Sequence, residues 1–143
     1  MSEADFRQAI NASNQDPIPR DIFVQVWLAE QGVDAVLQRL YREMELLAPL
    51  LARDRRVVRL AFEGRGLNAL SQLAKSDLMD SLAQHFSLAP AATNTMAVAA
   101  DDCDLLGLGP GAVSRFGEAI SMNAADPTVY CNALDQGRLP IVE

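Results

Sequence analysis

Between Val33 and Leu51 the apolar residues Val33, Val36, Leu37, Leu40, Met44, Leu47 and Leu51 recur at intervals of three and four, with Arg39, Arg42, Glu43 and Glu45 between them. This spacing predicts an amphipathic helix, and Pro49 marks its last turn or a bend. From Ile22 to Leu28 the chain is β-branched and aromatic with Gln25 as its only polar residue, which predicts a strand buried on both faces. A second strand is expected from Val57 to Phe62, stopping at Glu63-Gly64-Arg65-Gly66. Ser71 is placed to cap a helix whose Leu78, Leu82 and Phe86 repeat every four residues, ending near His85 before Pro90. A weaker helix is expected over residues 2–10, capped by Ser2, with the stretch from Asn11 to Pro19 breaking it. Thr95 to Ala99 and Leu105 to Leu108 read as two further strands, and the alternation of strand and helix predicts a parallel sheet with crossover helices. Ala112 to Phe116 and Ala119 to Met122 flank Gly117-Glu118 as a hairpin would. Asp126 as cap, Pro127 in the first turn and Gly137 just past the end delimit a last helix from Pro127 to Gln136.

Composition narrows the class. The chain has 143 residues, 50% hydrophobic and 22% charged, enough for one core and too few for two. One α/β domain over 1–143 is expected, with a lead-in at 1–20, β/α units over 21–109 and the hairpin and last helix over 110–143. No apolar run is long enough to span a bilayer, so no membrane association is expected. The net charge of −7 opposes nonspecific attraction to nucleic acid or anionic lipid. An acidic start, Met1-Ser2-Glu3-Ala4-Asp5, precedes no apolar signal core, which makes the cytoplasm the expected location. With two cysteines, Cys103 and Cys131, and one histidine, His85, the chain is poor in metal ligands, and two ordinary thiols are expected. The five methionines read as core filler.

Few residues stand out as chemistry. The basic run Arg53, Arg55, Arg56 and Arg59 could greet a phosphate or carboxylate, but solvated charges near a helix C-terminus are the plainer expectation. Gly107-Leu108-Gly109-Pro110-Gly111 lacks the spacing of a dinucleotide fingerprint and reads as a tight turn leaving a strand. Gly64 and Gly66 lie at the C-terminal end of the second strand, where parallel α/β sheets bind ligands, although Glu63 and Arg65 beside them could simply pair on the surface. His85 reads as a charge near a helix end.

Two segments carry a resemblance. LLGLGPGAVSRFG and MNAADPTVYCNALDQGRLPIV are similar to the stretch after the catalytic barrel of oxygen-independent coproporphyrinogen III oxidases, the radical S-adenosylmethionine enzymes of haem biosynthesis. Asn123, Tyr130, Ala133, Leu134, Asp135, Gly137, Arg138, Leu139 and Pro140 fall into that family's pattern. Ile22 to Leu28 resembles its first barrel strand, the 33–51 helix its "Y-L-x-A-L-x-x-E-I…A-P-L" stretch, and Leu60 to Ser71 its glycine-loop region. The family's CxxxCxxC loop should follow the first strand, yet here Ala29-Glu30-Gln31 leads straight into a helix. The family's strand-one tyrosine falls at Phe23 and its cofactor-binding glutamate at Ala97, while Val113 stands where it has a cofactor-contacting isoleucine.

The resemblance implies a partial (half) barrel or small open parallel sheet with a hairpin and C-terminal helix, lacking the cluster loop and the second half of the barrel. Without a cluster to deliver an electron, radical chemistry has no source. The function implied is a cluster-free, non-catalytic homologue, a binding or accessory protein of haem or porphyrin metabolism. No 4Fe–4S cluster and no catalytic residue are expected. Gly64, Gly66, Gly107, Gly109 and Val113 would line what remains of a cleft for S-adenosylmethionine or a tetrapyrrole. Uncovered sheet edges point to a homodimer, and a haem-pathway protein is a second kind of partner. Two other readings stand beside this one: a structural or regulatory interaction module, and a coproporphyrinogen dehydrogenase-like oxidoreductase.

Overall fold

The computed structural model describes residues 1–18, 20–30, 32–89 and 103–142. The central strand β1 (Asp21–Trp27) lies between β2 (Val57–Glu63) and β3 (Cys103–Leu108), and both pairings are parallel. β4 (Val113–Phe116) and β5 (Ala119–Met122) extend the sheet antiparallel beyond β3, giving the order β2-β1-β3-β4-β5. The result is an open, mixed five-stranded α/β sheet among the described residues. The parallel sheet expected from strand–helix alternation forms over three strands, and the expected hairpin adds two antiparallel ones joined by the tight Gly117 turn (φ 63°). The strand expected at 95–99 lies outside the described residues.

Side-chain alternation along β1 sorts the two faces. Ile22, Val24 and Val26, followed by Leu28, are buried beneath helices α1 (Glu3–Asn14), α2 (Val33–Leu47), α4 (Gln72–His85) and α5 (Pro127–Asp135), in one core with Leu60, Leu106 and Leu108. Phe23, Gln25 and Trp27 point to the opposite face. There Phe23 packs with Ala61 and Cys103 in a second, smaller cluster. A short helix, α3 (Gly66–Ala69), follows β2.

The caps at Ser71 and Asp126 form as expected, accepting from the amides of Ala74 and Thr128, and Gly137 adopts φ 74° after α5. α1 runs four residues beyond its expected end. Asn14 Nδ2 donates to the Leu50 carbonyl at 2.7 Å and the Ser13 hydroxyl to Asp104, so side chains expected to break the helix instead tie it down. α2 stops at Leu47, and Pro49, which has no N–H, sits in a 3-10 turn over Ala48–Leu50. Of the methionines, Met44 is in the core, whereas Met79 and Met122 are exposed and fill nothing.

Arg55 corrects the expectation of four solvated arginines. It is buried, with its guanidinium 2.7 Å from Asp104, itself buried at the start of β3. Arg55 also donates to the Arg20 carbonyl, the Ser13 hydroxyl and Asn14 Oδ1, while Asp104 accepts from the Gly117 amide at 3.1 Å. One ion pair thus joins α1, the approach to β1, the approach to β2, β3 and the β4–β5 turn.

Candidate functional site

The five glycine and valine positions expected to line a cleft gather at one end of the sheet. Gly64 and Gly66 pack against the chain leaving β1: a Cβ would fall 2.2 Å from the Leu28 carbonyl oxygen at Gly64 and 2.6 Å from that of Ala29 at Gly66. Gly109 (φ 104°) meets the same segment from the other side, where a Cβ would come 2.2 Å from the Trp27 carbonyl oxygen. Gly107 allows β4 to approach, its missing Cβ lying 2.4 Å from the Val113 carbonyl oxygen. These glycines therefore close β2 and β3 around the end of β1, with the bare side of each facing backbone. A Gly109→Ala substitution combines a positive φ with an immovable backbone contact. Urea denaturation should show a loss of about 2–3 kcal/mol; a loss below about 0.5 kcal/mol would contradict the contact.

The face of the sheet opposite the helices runs from that end across all five strands, buried at Phe23, Ala61 and Cys103 and exposed at Ile120 and Met122. By register it carries Phe23, Gln25 and Trp27 of β1, Arg59, Ala61 and Glu63 of β2, Leu105 and Gly107 of β3, Val113 and Arg115 of β4, and Ile120 and Met122 of β5. Arg59 stacks over the Phe23 ring at 4.5 Å. Glu63 accepts from Gln25 Nε2 at 3.0 Å, so the recorded partner of Glu63 lies on β1 rather than at Arg65. Trp27 Nε1 is buried with no hydrogen-bond partner among the described residues, a donor at the site end of the sheet. Ile120 and Met122 are exposed at the edge strand, and Val142 continues their strip, its amide bonded to the Met122 carbonyl at 2.8 Å.

Beneath Gly109, on the helical side, lies a buried acid. Glu43 of α2 accepts from the Gly109 amide at 2.9 Å, from the Tyr130 hydroxyl at 2.8 Å and from Asn123 Nδ2 at 2.8 Å; the Asn123 amide also reaches the Gly109 carbonyl. Burial pushes the Glu43 carboxyl up to about 7, against the downward pull of those three donors. Burial, and then the Glu43 charge, raise the Tyr130 hydroxyl, so it stays a proton donor. Sequence reading placed Gly109, Asn123 and Tyr130 in one resembling segment and set Glu43 among the polar spacers of its helix. Glu43 in fact falls on the apolar stripe, three residues after Leu40 and four before Leu47, and a charge on that stripe was the available signal.

His85 bonds the Ser81 carbonyl through Nδ1 at 2.8 Å, fitting its expected place at a helix end. Both cysteines are free thiols, Cys103 buried on β3 and Cys131 half-buried on α5. Neither cysteine follows β1, and no group of three or more His, Cys, Asp or Glu side chains is gathered as metal ligands among the described residues. No described helix is long and apolar enough to cross a membrane.

Among the described residues the architecture is an open α/β sheet with three parallel strands at one edge, an antiparallel hairpin at the other and helices packed on one face. A solved structure is similar to the whole chain: the coproporphyrinogen III oxidase HemN of Escherichia coli, described as a radical SAM enzyme. The match has a TM-score of 0.82 at 12% identity and covers 99% of this chain and 74% of that one. At that identity the likeness shows the fold. No family model matches the chain, and no curated protein does.

Proposed function

We propose that the chain is a cluster-free half barrel that binds a planar, apolar, carboxylate-bearing ligand of the tetrapyrrole class, as a binding or accessory protein in haem or porphyrin metabolism. The observation that carries this reading is the likeness to the coproporphyrinogen oxidase fold over 99% of the chain. The chemistry of the face opposite the helices supports it. Half-buried Leu105 and Trp27 and exposed Ile120 and Met122 offer apolar and aromatic surface, and Arg115 on the same face suits a carboxylate. One end of that face is closed by Gly64, Gly66, Gly107 and Gly109, with Val113 beside Met122.

Titration with coproporphyrin III, haemin and S-adenosylmethionine, followed by tryptophan quenching and porphyrin absorbance, tests this. One porphyrin should bind saturably. Ile120→Asp, on an exposed position, should weaken it about tenfold without unfolding the protein. Absence of saturable binding by all three compounds would remove the reading.

The exposed strip Ile120, Met122 and Val142 along the edge strand favours a second reading, association of two copies through that edge. Sedimentation over a concentration series should then show dimer, lost in Ile120→Asp; monomer alone at high micromolar protein would exclude it.

A further inference from the structure

At the opposite end of the sheet, where β2 begins, a cleft of about 330 Å³ opens between the turn after α2 and the C-terminus of α4. Leu51, Val57 and Phe86 give it an apolar floor, and Arg53, His85 and Ser87 supply its polar atoms. Four arginines crowd this region of an acidic chain, and three are engaged. Arg55 is locked to Asp104 at 2.7 Å, Arg56 lies 3.8 Å from Asp21, and Arg59 stacks on Phe23. Arg53 is exposed and directed to this cleft.

His85 adds a second group of known orientation. Its Nδ1 must donate to the Ser81 carbonyl, since a carbonyl only accepts, and this leaves Nε2 for another partner. We propose that this cleft binds a phosphomonoester, with Arg53, His85 Nε2 and the Ser87 hydroxyl addressing the phosphate oxygens and the ester's organic part lying on Leu51 and Phe86. Arg53 and the Ser87 hydroxyl donate to phosphate oxygens, and Nε2, an acceptor while Nδ1 carries the ring proton, takes the P–O–H of the phosphomonoester's monoanion, a group that a carboxylate lacks. The cleft volume exceeds that of inorganic phosphate, which leaves space for the organic part. The site is separate from the sheet face opposite the helices and does not depend on the tetrapyrrole reading.

Isothermal titration with phenyl phosphate, inorganic phosphate and benzoate at fixed ionic strength tests it. Phenyl phosphate should bind saturably and more tightly than the other two. Arg53→Gln and His85→Gln should each weaken it about tenfold. Arg56→Gln, which removes the same charge from outside the cleft, should change affinity less than about twofold. The proposal is overturned if phenyl phosphate does not saturate, if benzoate binds as well, or if Arg56→Gln is as damaging as Arg53→Gln.

Discussion

Replacing Arg55 by methionine should cost the protein about 3–5 kcal/mol of stability, because it leaves the buried Asp104 carboxylate without its cation. The side chains of the pair are 0% and 1% exposed, so water cannot replace the lost partner. Asp104 would keep the Ser13 hydroxyl and the Gly117 amide, too little to hold a buried charge. The loss should also loosen α1, since Ser13 and Asn14 both bond the guanidinium. A second substitution distinguishes loss of the cation from loss of packing. Asp104→Asn in the Arg55→Met background keeps an acceptor for the Gly117 amide and removes the stranded charge, so most of the stability should return. Urea denaturation of the wild type, both single variants and the double variant closes the cycle. A cost below about 1 kcal/mol for Arg55→Met, or simple additivity in the double variant, would show that the pair does not clamp the sheet.

That ion pair also shows where sequence reading stops. The α2 stripe, the Ser71 and Asp126 caps, the Gly117 hairpin and the Gly137 terminus are local patterns, spelled within a few residues, and the structure forms them. Arg55 and Asp104 are 49 positions apart, and Ser13 lies 91 from Asp104, so nothing near any of them announces the contact. A weaker signal was present in β3. Asp104, Leu106 and Leu108 alternate onto one face, which puts a carboxylate on the buried side and requires a partner from elsewhere. The site end was legible in part. Gly64, Gly66 and Gly109 converge, and the reason is local crowding: each lets the backbone at the end of β1 come close. Trp27 Nε1 could not be recognised from sequence, because a donor without a partner among the described residues is evident only from contacts distant along the chain.

The other end of β3 is held by Glu43, and its removal should be comparably costly. Glu43→Leu strands the Gly109 amide and the Tyr130 hydroxyl in a dry core and halves the bonding of Asn123, for a loss of about 3–5 kcal/mol. Glu43→Gln should cost less, because Oε1 still accepts from Gly109 and Tyr130 while its amide faces the Asn123 amide. The conservative variant also reports the proton. Burial raises the Glu43 carboxyl from 4.5 to about 7 in the folded chain, so between those values the folded state binds a proton that the unfolded state has released. This contribution to stability is complete below pH 4.5, falls as pH rises and is gone above pH 7, an amount of roughly 3 kcal/mol. Asp135, held low by its hydrogen bonds to Arg39, acts in the opposite direction only at pH below its ordinary range and leaves this window clear. Stability measured by urea denaturation from pH 4.5 to 8 should therefore slope downward in the wild type and lie flatter in Glu43→Gln. Equal slopes in the two proteins would mean that the buried carboxyl does not exchange its proton in this range.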